Sequence, residues 1–309
     1  MTAQNRLTFK ATMMQVSVPA TSANLGPGFD AFGLALGIRD RYAAQILDDA
    51  VFDVDVTGEG AEEVRKDKNN LVIKSMLHGF DFMGQKPRGI ALRALNVTPH
   101  GRGLGSSASA IVGGLALARE LVLGGDQLMT SVDMMALATE LEGHPDNVAA
   151  AIFGGATIAW YETSDGASIG RSVSIPVHSE ISATVFVPET HLSTSKARKL
   201  LPEVVPHRDA VLNSSRAALL SLALGSKPDL LLTATQDFLH QSYREQAYPE
   251  SMELVEKFRG MGIAATISGA GPTVLVLHTL PASQASDLLT AGGANFVAQQ
   301  VEISRTGVE

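Results

Sequence analysis

Residues Pro99-His100-Gly101-Arg102-Gly103-Leu104-Gly105-Ser106-Ser107-Ala108-Ser109 run without a break into an apolar helical pattern over residues 110–123. The three glycines let the backbone come close to an anion without side-chain clashes. Ser106, Ser107 and Ser109 add hydroxyls, and the first turn of the helix behind them offers unpaired N–H groups at the positive end of its dipole. That chemistry suits a polyphosphate. No Gly-Lys-Ser/Thr follows the glycines, so the stretch is not a Walker A loop. Its GxGxG spacing also departs from the GxGxxG of dinucleotide-binding folds. On local chemistry alone, a turn that merely packs a helix on a sheet is an equal reading.

Working outward, periodicity predicts strands over 13–18, 42–47, 51–56 and 89–96 and a helix over 71–82. A further helix opens near Asp133, read as its N-cap, with Met134, Leu137, Ala138 and Leu141 on one face. Residues 148–153 are apolar and end at Gly154-Gly155, before a strand over 156–160. The small polar run 163–168 reads as a surface loop and sets the expected lobe boundary there or slightly after it, giving lobes over 13–168 and 169–309. Beyond it, strands are expected over 183–187, 264–267, 273–277 and 296–303, and helices over 210–224, 230–238, 252–259 and 282–290. The class is α+β, the second lobe packing helices mostly on one face of an antiparallel sheet.

Bulk properties narrow the partners. The 309 residues are 45% hydrophobic and 18% charged, enough to bury a sizeable core. A formal charge of −8 at pH 7 disfavours nucleic acid and anionic membrane surfaces, so an anionic ligand must be held by local devices. There are no cysteines, which excludes disulfides, thiolate metal sites and a cysteine nucleophile and suits a reducing cytoplasm. Residues 1–10 are polar and lack an apolar signal core, and no apolar run approaches membrane-spanning length. A soluble, cytoplasmic protein is expected, with a homodimer as the commonest assembly.

Three other segments are rich in polar groups and glycine. Pro19-Ala20-Thr21-Ser22-Ala23-Asn24-Leu25-Gly26-Pro27-Gly28-Phe29-Asp30 reads as a turn-forming run after a strand. Asn24 and Asp30 there either cap turns or bond a polar substrate. In Glu140-Leu141-Glu142-Gly143-His144-Pro145-Asp146-Asn147, Glu140 ends a helix, where the dipole disfavours a carboxylate unless a cation such as magnesium offsets it. A solvated charge is the blander alternative. His144 has no second histidine at metal spacing, which argues against zinc. Thr266-Ile267-Ser268-Gly269-Ala270-Gly271-Pro272-Thr273 is either a hairpin or a loop that closes on a ligand. Arg198 and Arg244 sit in polar surroundings and are candidate carboxylate clamps.

In this order, the segments resemble the GHMP small-molecule kinase superfamily. The phosphate motif at 99–109 and the glycine motif at 268–273 carry the superfamily resemblance, while 21–30 and 142–149 resemble its homoserine kinase branch. The resemblance implies ATP-dependent phosphorylation of the side-chain hydroxyl of L-homoserine, in threonine biosynthesis. It implies a ribosomal-S5-domain-2-like N-terminal lobe and a ferredoxin-like C-terminal lobe, with the active site between them. By the same resemblance, residues 99–109 hold ATP, with Asn69 and Asn70 on the adenine side. Ser107 and Glu140 match the Mg²⁺ ligands. Asn24, Asp30, His144, Asn147, Arg198, Arg244 and Gly269 match the homoserine pocket, with Asn147 near the reacting hydroxyl. Asp146 is open to two readings, a base or a bystander to base-free transfer. Two rivals stay in view: another kinase of the superfamily acting on a different small alcohol, and a catalytically inactive nucleotide-binding regulator.

Overall fold

The computed structural model describes residues 8–164 and 166–309. Most of the N-terminal stretch read for an export signal, and Asp165 of the polar loop, lie outside those residues. Ten strands occur among them: β1 (Met14–Asn24), β2 (Gly28–Leu47), β3 (Phe52–Gly58), β4 (Gly89–Asn96), β5 (Ala156–Ser164), β6 (Ala167–Ile175), β7 (Ser182–Pro188), β8 (Ala264–Ile267), β9 (Val274–His278) and β10 (Phe296–Val301). The helices are α1 (Leu71–Phe82), α2 (Ser106–Leu121), α3 (Gly125–Leu128), α4 (Ser131–Glu142), α5 (Asp146–Phe153), α6 (Thr194–Arg198), α7 (His207–Gly225), α8 (Leu231–Ala234), α9 (Gln241–Arg244), α10 (Pro249–Gly260) and α11 (Ala282–Leu288). No helix among the described residues is long and apolar enough to cross a membrane.

Two sheets organise the chain. The first has the order β3-β4-β2-β5-β6, with β1 also paired to β2. Only β3 and β4 run parallel, with Val54 opposite Leu92, and the other pairs are antiparallel. Helices α1, α2, α4 and α5 bury their apolar faces on this sheet around Val18, Tyr42, Met76, Phe80, Leu92 and Leu115. The second sheet is fully antiparallel in the order β10-β7-β9-β8. Its β-α-β-β-α-β chain order with the first and third strands at the centre is the ferredoxin-like arrangement. A second apolar cluster joins the lobes: Leu25, Leu34 and Leu36 of the β1–β2 region pack with Val185, Leu220 and Leu275.

Several sequence expectations shift. The run after residue 19 is not a turn until late: β1 continues through Asn24, and the reversal is confined to Leu25-Gly26-Pro27. The polar stretch expected as a lobe boundary is the tip of the β5–β6 hairpin, since β6 continues the first sheet to Ile175. The change of sheet falls between Ile175 and Ser182. The α4 helix starts earlier than read: Thr130 is its N-cap, and Asp133 returns the bond as the third residue of a capping box. The helix expected over 230–238 stops at Ala234, because the Asp237 carboxylate collects the N–H groups of Leu239, His240 and Gln241.

Candidate active site

The glycine loop turns as its composition requires. Gly101, Gly103 and Gly105 have φ of 63°, 76° and 72°, a region that side chains other than glycine's rarely adopt. At Gly103 a Cβ would strike the Ser268 carbonyl, and at Gly105 the Thr21 hydroxyl. The loop is thus wedged between the β1 end and the 268–273 segment. Gly105 also caps α2 without a side-chain hydrogen bond, so the N–H groups of the first turn are left for a ligand. An uncapped helix of 16 residues aimed at a cavity is a ready anion site.

Two cavities meet at this helix end, sharing Gly101, Ser106 and Ser107. One, of about 350 Å³, is walled by Tyr42, Val56, Leu71, Val72, Ala94 and Ala110, with Asn69, Asn70 and His100 at its polar side. Its apolar walls suit a flat heterocycle. The other, about 240 Å³, is lined by charge: Asp30, Glu142, Asp146, His144, Arg198 and Arg244, with Asn24, Asn147 and Gly269. A triphosphate lying across the helix end would join a base in the first to an acceptor in the second.

Not every residue of 99–109 faces these cavities. Leu104 and Ala108 are fully buried and add only backbone. The Arg102 guanidinium is occupied by the carbonyls of Pro188 (2.8 Å), Glu189 (3.0 Å) and His100 (3.2 Å), so it ties the loop to the second lobe. Pro99 lines neither cavity. Ser109 points away, buried against Asp40 and Tyr42. Asn70 caps α1, its Oδ1 accepting from Val72 N at 2.9 Å, while its Nδ2 donates to Arg65 O at 2.7 Å.

The structure does not bring Ser107 and Glu140, paired in the metal expectation, together. Glu140 is 69% exposed and faces His78 Nε2 at 3.6 Å, on the far side of α4 from Ser107. The carboxylate beside Ser107 is that of Glu142: 9% exposed, it accepts a hydrogen bond from Ser107 Oγ at 2.6 Å. Two residues along a helix differ by about 200° in direction, so only one of the two carboxylates can enter the site. Burial pushes the Glu142 carboxyl above its usual range, with the Ser107 hydrogen bond opposing. Ser107 Oγ and Glu142 form a hard-oxygen pair beside the anion site. That donor set fits Mg²⁺, which takes one or two protein ligands and leaves the rest to phosphate and water.

The charged cavity draws its residues from distant parts of the chain. Asn24, itself at φ 71°, donates from Nδ2 to Gly269 O at 2.8 Å and accepts from Asp30 N at 3.0 Å. It both shapes the turn and faces the cavity. Asp30 and Arg198 pair bidentately at 2.6 and 3.0 Å. Their side chains are 32% and 36% exposed, so the pair is worth only about 1 kcal/mol or less and can be opened by a charged ligand. Arg244 differs: it is 1% exposed, and its Nε donates to Ala197 O (3.2 Å), its Nη1 approaches His240 Nδ1 (3.5 Å), and its guanidinium lies over the Phe29 ring. None of these partners is a carboxylate, and burial lowers its pKa from the usual arginine range. A buried guanidinium that faces a cavity with no carboxylate in hydrogen-bond contact is a strong call for an anionic ligand.

At the α4–α5 junction, His144 Nδ1 lies 2.7 Å from Asp146 Oδ1, which also accepts Asn147 N at 2.8 Å. Burial alone would lower the His144 pKa, but the Asp146 hydrogen bond and the charges of Asp146 and Glu142 outweigh it and raise the value. Asn147 Oδ1 accepts from Thr21 Oγ1 at 2.8 Å, which fixes the amide. Sequence reading did not single out Glu142, Thr21, Phe29 or Asp40 as functional residues. The phase of α4 was the available signal for Glu142.

Comparison with known proteins follows the same division. The description GHMP kinases N terminal domain matches residues 70–155, and GHMP kinases C terminal matches 217–295. A homoserine kinase of Streptomyces coelicolor is 46% identical over 299 residues, covering 97% of this chain and 94% of that protein. The chain belongs to the homoserine kinases of the GHMP kinase family. A homoserine kinase of Clavibacter michiganensis subsp. michiganensis is 49% identical over 284 residues, with 91% and 88% of the two chains covered. The crystal structure of homoserine kinase from Cytophaga hutchinsonii superposes with a TM-score of 0.83 at 26% identity, covering 97% of each chain. An L. major mevalonate kinase solved in complex with R-mevalonate shares the fold at 17% identity and a TM-score of 0.68, over 95% of this chain and 97% of that one.

Proposed function

We propose that this protein transfers the γ-phosphoryl group of ATP to the side-chain hydroxyl of L-homoserine. The observation that carries the reading is the meeting of an apolar-walled cavity and a charged one at an uncapped helix N-terminus. The walls formed by Tyr42, Val56, Val72 and Ala110 take the base. Backbone N–H groups of Gly101 to Ser107 and the α2 dipole hold the phosphates. Ser107 and Glu142 hold Mg²⁺, which when bound neutralises charge on the phosphoryl oxygens.

On the acceptor side, Arg244 binds the α-carboxylate from its buried position. Arg198 turns from Asp30 to share that carboxylate, and Asp30 receives the ammonium. A zwitterion therefore replaces one weak internal pair by two charge-assisted contacts. Asn147, held by Thr21, orients the hydroxyl toward the phosphates. Asp146 Oδ1 is already engaged by His144 and the Asn147 amide, which suits a positioning role. Phosphoryl transfer passes through a loose transition state in which the hydroxyl proton leaves late, so in-line placement and charge neutralisation suffice. We assign the protein to the cytoplasm, on its cysteine-free composition, and to a homodimer, on the frequency of that symmetry.

ADP release with MgATP tests the reading, comparing L-homoserine, mevalonate, L-serine and no acceptor. The expected result is strong stimulation by L-homoserine alone. Stimulation by another alcohol instead overturns the pocket assignment, and nucleotide binding without turnover overturns the catalytic one.

A further inference from the structure

Asp40 is a buried carboxylate with no part in the chemistry above. It sits near the middle of β2, 1% exposed, between Arg39 and Arg41. Its Oδ1 accepts the N–H groups of Val97 (2.7 Å) and Thr98 (2.8 Å), the last residues before the glycine loop. Its Oδ2 accepts the Ser109 hydroxyl (2.7 Å), in the first turn of α2 just after the loop. The Tyr42 hydroxyl adds a fourth bond at 3.3 Å and lies 3.1 Å from Ser109 Oγ. Both ends of the segment 99–108 are therefore tied to a single carboxylate. The Tyr42 ring at the same time walls the cavity suited to the base.

All four donors are neutral, so the charge is solvated by dipoles and not by a counter-ion. Burying a carboxylate this way is costly, and an apolar residue of similar volume commonly packs such a place with less penalty. The geometry points to a local use. We propose that Asp40 is a positioning residue for the nucleotide. By fixing Thr98 and Ser109 relative to each other, it holds the intervening N–H groups in an anion-binding array, and through Tyr42 it sets the base wall against that array. The inference rests on the reading of 101–107 as the phosphate site.

Ser109→Ala is the gentler test, because it removes one hydroxyl and keeps a good helix former in place. Asp40→Asn is the stronger one. Steady-state kinetics with MgATP and L-homoserine give the split: KM for MgATP is expected to rise about tenfold in Ser109→Ala and further in Asp40→Asn, on the scale of a lost charge-assisted bond. KM for L-homoserine is expected to stay within about twofold, since no acceptor-site group touches Asp40. Amide hydrogen exchange supplies a second readout, with residues 100–105 exchanging faster in folded Ser109→Ala while the second sheet is unchanged. A Ser109→Ala protein with wild-type KM for MgATP and wild-type exchange at 100–105 overturns the proposal, whether or not Asp40→Asn folds. Failure of the underlying reading looks different: MgATP would then leave the exchange of 101–107 unchanged in the wild-type protein itself.

Discussion

The two cavities are built on opposite plans. On the nucleotide side the phosphate-binding part is contiguous chain, three glycines and a helix end whose anion-binding groups belong to the backbone, and only the apolar wall is gathered from several elements. The acceptor side is made of side chains from far apart, the Asp30–Arg198 pair alone spanning 168 positions. Backbone N–H groups bind any phosphate in the right place and give little discrimination. Charged side chains set at fixed separations reject ligands that lack either charge, because a buried group is then left unpaired. Generic chemistry is thus concentrated in one short segment, and specificity is distributed over the fold.

That contrast can be broken from either side. Arg244→Ala has the largest expected effect on the acceptor side: KM for L-homoserine rises about 100-fold or more, as for truncation of a buried charge pair, while KM for MgATP hardly moves. Equal rises in both constants would show that the two sides are not separable. Next, Asp146→Asn is expected to lower kcat by less than about 100-fold, below the upper range for general base catalysis. A loss above about 10⁴-fold with both substrates still bound would make Asp146 a true base. On the nucleotide side, Glu142→Gln should raise the Mg²⁺ concentration needed for half-maximal rate by about tenfold. Glu140→Gln should leave it unchanged, and a Mg²⁺ titration of both variants tells the two carboxylates apart.

The smallest effect concerns pH. The folded-state pKa of His144 is raised above the ordinary 6.5, so the protonated ring stabilises the fold fully below 6.5 and that contribution fades as pH climbs through the raised value. Urea unfolding at a series of pH values should show stability falling across that window, and the slope should flatten in His144→Gln. An identical slope in the variant would mean that the ring does not carry the linkage.

Local signals were legible in the sequence where structure is set locally. Helix α1 and strand β4 fall at the residues that periodicity predicts, and the glycine loop announces its chemistry through residues that only a close backbone approach requires. Two pairs of neighbours that composition groups together part ways in the structure. Ser107 and Ser109 sit two positions apart on α2, as Glu140 and Glu142 do on α4. In each pair about 200° of helical rotation sends one member into the cavity and the other away from it. Composition groups such neighbours together, and only the phase of the apolar face separates them. Asp40 was hidden differently. Flanked by two arginines, it has the look of a solvated charge run, and its burial depends on partners nearly sixty and seventy positions away. The change of sheet, between Ile175 and Ser182, lies just beyond the polar run because a polar hairpin tip and an interlobe linker have the same composition.

The most direct test of the account is to follow the product by ³¹P NMR after incubating the enzyme with MgATP and L-homoserine. A new phosphomonoester resonance coupled to the side-chain methylene protons, appearing as ATP converts to ADP, is the predicted result. Only inorganic phosphate, or a phosphoryl group on the carboxylate, would contradict the claim that the charged cavity presents the homoserine hydroxyl to the phosphate loop.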